Sequence, residues 1–190
     1  MTFLIIALGF LVIYLITRIM YLDSIALSFI GAAQFFLVYS AIGFGLDSFG
    51  YYILISITLI LAYIDIKEQI VPNKSIIILL ILGVITYFFK EITLIDKIIG
   101  AFIVSVPMLI IALITGGFGG GDIKLFFAAG FVVGATRIVD TIFFAILAAG
   151  LVAFILLFFY KKDKSTQMAF VPFIHFGLIV ALLWQFAIFA

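Results

Sequence analysis

Charge is scarce in this chain of 190 residues: 10% are Asp, Glu, Lys or Arg, while 68% are hydrophobic. A soluble domain is about a quarter charged and about half apolar. So short a chain cannot bury that much apolar surface by folding on itself, and lipid must cover much of it. Cysteine is absent, which excludes disulfides and thiolate metal sites. The single histidine, His175, excludes a histidine-rich metal cluster, and no metal or other cofactor is expected. A formal net charge of +1 offers no electrostatic footprint for nucleic acid. The stretch Met1–Thr17 lacks the basic start and small-residue cleavage site of a signal peptide, so it reads as a retained transmembrane helix.

What fills the chain is a series of apolar runs. A helix crossing a bilayer needs about 20 such residues. Charged and turn-forming residues punctuate the sequence into about eight candidate spans: residues 2–17, 24–45, 50–65, 74–89, 97–115, 122–136, 139–160 and 169–189. The fold class expected is an all-α membrane protein, a polytopic bundle of antiparallel helices with short loops. One domain over residues 1–190 is expected, with no linker and no internal repeat. Alternating loops put Arg18, Lys67, Lys74, Lys124, Lys161, Lys162 and Lys164 on one side, and Lys90, Lys97 and Arg137 on the other. The positive-inside rule makes the richer side cytoplasmic. Asp65 and Asp122 then both fall at the cytoplasmic side, although their chemistry played no part in that assignment.

Ionisable residues within membrane spans are costly and usually functional. Asp65 ends an apolar run in AYIDIKEQIVPN. It is either a solvated helix-end carboxylate paired with Lys67 or part of a site. Asp122 follows a glycine run, five of the seven residues from Gly116 to Asp122 being glycine. So many glycines argue for unwound chain, which survives at membrane depth only where protein buries it or it lines a wet cavity. The following span, Ile123–Thr136, would cover only about 20 Å, which sinks its start below the membrane surface. The plainer alternative is an interfacial turn in which Asp122 N-caps the next helix, a role compatible with catalysis.

Two carboxylates together suit peptide hydrolysis. One acts as base on a water molecule, and the other, protonated, polarises the scissile carbonyl. Close like charges resist joint ionisation, so such a pair holds one proton between its members. Gly119, Gly120 and Gly121 would leave room beside Asp122 for an extended substrate backbone, and their N–H groups could pair with it as a strand.

These residues resemble a known family. Asp65, followed by Lys67 and by Ile70-Val71-Pro72-Asn73, is similar to the first catalytic motif of the type IV prepilin peptidases. Gly119-Gly120-Gly121-Asp122, continuing into Ile123-Lys124-Leu125, resembles their GxGD motif with its trailing lysine. Phe170-Val171-Pro172-Phe173-Ile174-His175-Phe176-Gly177 is similar to the Pro-Phe-x-x-x-Gly stretch near their C-terminus. The three matches run in the family's order. The resemblance implies a single transmembrane peptidase domain in a prokaryotic plasma membrane, with its site facing the cytoplasm. Asp65 and Asp122 would be the catalytic pair. Gly119, Gly120, Gly121, Lys67, Lys124, Pro72 and Asn73 would support the pair or contact substrate. The lysines equally well snorkel to headgroups. The partners implied are membrane lipid and prepilin-like proteins with a basic leader, a glycine before the cut and a hydrophobic helix after it.

Many bacterial members carry a four-cysteine insertion after the first span that is linked to N-methylation of the product. Here that loop shrinks to residues 18–23, so peptidase activity alone is expected. His175 is read as a packing residue, Pro72 and Pro172 as helix starters, and Pro107 as a kink within a span. Asp47, Glu91, Asp96 and Asp140 are read as solvated charges in outside loops. The alternative in another class is a small ion- or proton-coupled transporter using buried aspartates. Such proteins usually pair broken helices in two related halves, whereas this chain has one glycine break. The presenilin type of GxGD protease pairs its motif with Tyr-Asp and Pro-Ala-Leu; Tyr63-Ile64-Asp65 and Val171-Pro172-Phe173 stand here instead.

Overall fold

The computed structural model describes residues 7, 11, 14, 25–43, 45, 48–89, 92–159 and 168–189. Arg18, Asp23, Asp47, Lys90, Glu91, Lys161, Lys162, Asp163 and Lys164 lie outside these, as does most of the expected span 2–17. Among the described residues seven helices follow one another: α1 Ile25–Ile42, α2 Phe49–Glu68, α3 Asn73–Tyr87, α4 Leu94–Thr115, α5 Gly120–Val133, α6 Ala135–Phe159 and α7 Val171–Phe189. There is no strand among the described residues. The expected boundaries hold within a few residues.

The expectation of about eight spans needs correcting. Among the described residues three helices, Phe49–Glu68, Leu94–Thr115 and Ala135–Phe158, are long and apolar enough to cross a membrane. Ala26–Ile42, Asn73–Tyr87 and Val171–Trp184 are apolar but shorter, and α5 has 14 residues. An apolar run in sequence counts greasy residues, while a span also needs uninterrupted helix. Gly134, with φ +83°, ends α5 after less than four turns.

The layering follows from composition. α2 is largely buried, whereas α4 and α6 show mostly apolar side chains at the surface, Leu113 and Ile114 among the most exposed. α5 lies inside, packed on α2, α3, α4 and α6, with Leu125, Phe126, Ala128, Ala129, Val132 and Val133 all buried. Lipid is no poorer a home for leucine than a protein core, so helices in a membrane gain from close backbone approach. Gly100 of α4 meets Gly130 of α5 backbone to backbone, and a Cβ on either would strike the other's carbonyl group. Gly177 of α7 lies in the same way against Thr141 and Ala145 of α6.

The far end of α5 is finished by a residue that the loop assignment misplaced. Lys97 is not in a solvated loop; it sits in the first turn of α4 and is fully buried. The last four carbonyls of a helix lack partners within it. Gly134 N–H takes that of Gly130, and the Lys97 ammonium donates to Phe131 O at 3.4 Å and Val132 O at 3.3 Å. A third bond goes to Thr86 Oγ1 at 2.8 Å. Asp96 is likewise engaged: its Oδ1 accepts from Ala135 N–H at the start of α6, 3.3 Å away. Replacing Lys97 with methionine keeps the stem and removes the ammonium, stranding buried carbonyls at about 1–3 kcal/mol. A clear drop in the unfolding midpoint in detergent micelles is expected, and an unchanged midpoint would refute this capping role.

Candidate active site

α2 arrives at the site end of the bundle with Asp65 near its last turn. The helix stops at Gln69, which takes the left-handed conformation (φ 54°) and donates its N–H to Asp65 O at 2.9 Å. Asp65 is buried, with 6% of its surface exposed. That rules out the solvated helix-end carboxylate paired with Lys67. Instead the Lys67 ammonium stands over the Tyr63 ring, 5.0 Å from its centroid.

The partner of Asp65 comes from far along the chain. Val171 N–H donates to Asp65 Oδ2 at 2.9 Å. α7 begins at Val171, so this N–H is one of the orphan donors of a helix start. Pro172 has no N–H to compete, and Phe173 and Ile174 turn theirs back to Phe170 O. The first turn of α7 therefore presents its free amide at the carboxylate, where the helix dipole also favours negative charge.

Asp122 arrives on α5. Gly116 (φ +66°) closes α4, and the irregular link runs only to Gly119. The expectation of unwound chain up to Asp122 is thus corrected: Gly120 and Gly121 are already helical, and Gly119 is the N-cap. Asp122 sits at the third helical position, with its carboxylate folded back beside Gly119. Asp122 is half-buried, at the same end of the bundle as Asp65.

Several of the remaining expected residues tie the two aspartate motifs together. Gly121 packs against Val71, leaving no space for a Cβ, while nothing crowds Gly120. Pro72 is the N-cap of α3 and Asn73 its first residue. Lys124 Nζ donates to Asn73 Oδ1 at 3.2 Å, tying the second motif to the first. Phe170 joins the third motif to the second through ring contacts with Phe118 and Phe126, at 5.7 and 6.4 Å between centroids. Of the expected residues Lys67 alone is turned aside to a neighbour of its own helix. Among the described residues no three His, Cys, Asp or Glu side chains gather as a metal cage.

Sequence reasoning did not find the amide of Val171, because backbone donors leave no mark in residue identity. The usable signal was Pro172, since proline just inside a helix start marks where free N–H groups lie. His175 is buried and hydrogen-bonded to Thr58 and Gln34, in keeping with a packing residue.

Fold and site together define a helical membrane protein whose buried Asp65 and half-buried Asp122 belong to motifs packed together at one end of its bundle. The chain belongs to the type IV leader peptidase family, whose model matches residues 52–155. A relative, the "Prepilin leader peptidase/N-methyltransferase" of Bacillus subtilis (strain 168), is 32% identical over 150 residues, covering 75% of this chain and 58% of the relative. The chain thus spans little more than half the length of that relative. No solved structure matches it significantly.

Proposed function

We propose that this protein is a membrane-embedded aspartic endopeptidase in which Asp65 and Asp122 are the catalytic pair. The observation that carries the proposal is that the two aspartate motifs, on separate helices, are packed together at one end of the bundle through Val71–Gly121 and Asn73–Lys124, with Asp65 buried and accepting the Val171 N–H. One carboxylate takes a proton from a water molecule that attacks the scissile carbonyl carbon. The other, carrying a proton, donates a hydrogen bond to the carbonyl oxygen and stabilises the tetrahedral intermediate. Collapse of that intermediate breaks the C–N bond, with the proton passing to the departing amine. The open face at Gly120 leaves room for an extended peptide beside Asp122, where a strand-like pairing would orient it.

Family membership supports prepilin-like proteins as substrates, cut after a glycine between a basic leader and a hydrophobic helix. The loop charges support a cytoplasmic-facing site in a multi-pass plasma-membrane protein, and the whole of residues 1–190 forms one peptidase domain in this proposal. The absence of cysteine supports cleavage without methylation, although the relative's name carries both activities.

The test is direct. The full chain, reconstituted in liposomes, is incubated with a prepilin-like substrate, and the products are identified by mass spectrometry. Cleavage after the glycine with an unmodified new N-terminus is expected. No cleavage would overturn the peptidase proposal, and a methyl group added by this protein alone would overturn the peptidase-only part.

A further inference from the structure

One buried titratable group plays no part in the proposed reaction. His175 lies on α7 one turn beyond Val171, and Thr58 lies on α2 two turns before Asp65. The same two helices that meet at the Asp65–Val171 bond therefore meet again, deeper in the bundle, at Thr58 and His175. His175 Nδ1 is 2.8 Å from Thr58 Oγ1, and its Nε2 is 2.8 Å from Gln34 Nε2 of α1.

The Thr58 hydroxyl also reaches the carbonyls of its own helix, Leu54 O at 2.9 Å and Ile55 O at 3.1 Å. Both ring nitrogens are engaged, and the ring bridges three helices, α1, α2 and α7.

A ring held at both nitrogens limits how far α7 can slide along α2 or turn about its axis. The Asp65–Val171 bond needs that restraint, since a backbone N–H has no side-chain rotamer with which to follow a carboxylate that moves. Catalytic geometry must hold to within about half an ångström. We propose that His175 is a positioning residue, which through Thr58 sets the register of α7 on α2 and so holds the Val171 amide on Asp65. This rests on the peptidase reading for its kinetic consequence, but not for its geometry.

Three variants test it in the full chain. His175→Leu removes both bonds, His175→Gln is expected to lose the Thr58 bond, and His175→Asn keeps an amide near the Nδ1 position to bond Thr58. His175→Leu and His175→Gln are expected to lower kcat about 10- to 100-fold, the range of a misplaced catalytic group. KM stays within about threefold, and His175→Asn recovers most of the loss. In a background where Val171→Pro has already removed the amide, His175→Leu should add almost nothing, because both changes act on one interaction. The chain has no cysteine, so spin labels can be placed at Ile66→Cys and Met168→Cys, both exposed and flanking the bond. His175→Leu should broaden or shift the distance distribution between them, and His175→Asn should not. If His175→Leu lowers only the melting temperature, with kcat and label distances unchanged, the proposal is overturned. Losses that multiply with Val171→Pro overturn it too. Should the unmodified protein fail to cleave, the peptidase reading falls and the label distances decide this one: a shift upholds it, an unchanged distribution ends it.

Discussion

Asp65→Asn and Asp122→Asn should each reduce cleavage by about a thousandfold or more, with the double variant scarcely worse than either. Asparagine keeps the size and the hydrogen-bonding capacity of the side chain, so the helices need not rearrange. What it removes is the ability to take or hold a proton. A dyad works only as a unit: with one member amidated, the other has neither a partner to share its proton nor a second group for the carbonyl. Steady-state cleavage of a prepilin-like substrate, with melting temperatures as the folding control, checks both claims. Near-normal turnover by either single variant would sink the assignment. Under the transporter alternative the same substitutions would abolish ion-coupled uptake, and no cleavage would be seen to begin with.

The second large effect comes from a residue whose side chain does no chemistry. Val171→Pro should cut kcat by roughly 10- to 150-fold, the equivalent of about 1.5–3 kcal/mol for a hydrogen bond to a charged group. Proline is tolerated at the first position of a helix, and Phe170 before it is already outside the helix, so α7 can still form. The change that matters is the loss of the N–H that Asp65 Oδ2 accepts. Val171→Ala is the control. It opens space in a buried position, which costs stability, but it keeps the amide and should keep kcat within about threefold at a temperature where both variants are folded. Equal losses in the two variants would mean that packing, and not the hydrogen bond, is what Asp65 needs from this position.

Much of this was legible in the sequence, and the parts that were not share a physical cause. Helix positions could be read because an apolar run with charged ends is a local property. The two aspartates stood out because charge within such runs is rare. The number of spans was overcounted, since short apolar runs, α5 among them although its shortness was legible, were counted beside the three long enough to cross. Asp122 was placed at the edge of unwound chain because a glycine run favours irregular backbone. Tertiary packing overrode that tendency for Gly120 and Gly121, the latter seated on Val71. Asp96 was read as solvated and Lys97 as an outside-loop charge because a charge beside a loop usually is. Their partners, Phe131, Val132 and Ala135, lie more than 30 residues further on. Asp65 and Val171 are separated by 106 residues, and no local pattern encodes which carboxylate a helix start will face.

The glycine contact between α4 and α5 has a mechanical meaning. Gly100 and Gly130 touch at the end of the bundle remote from Asp122, where Lys97 and Asp96 also fasten α4 to the close of α5 and the opening of α6. α4 and α5 therefore behave as the two legs of a clothes-peg whose spring is at that remote end. Legs so clamped cannot part there without stripping a buried ammonium from its carbonyls. Any give needed to thread a peptide past Gly120 must come at the jaws, through the short strap of residues 116–119 or the neighbouring start of α7. A bulky residue at Gly100 or Gly130 would then force the spring apart and misalign the jaws, though it lies far from both carboxylates.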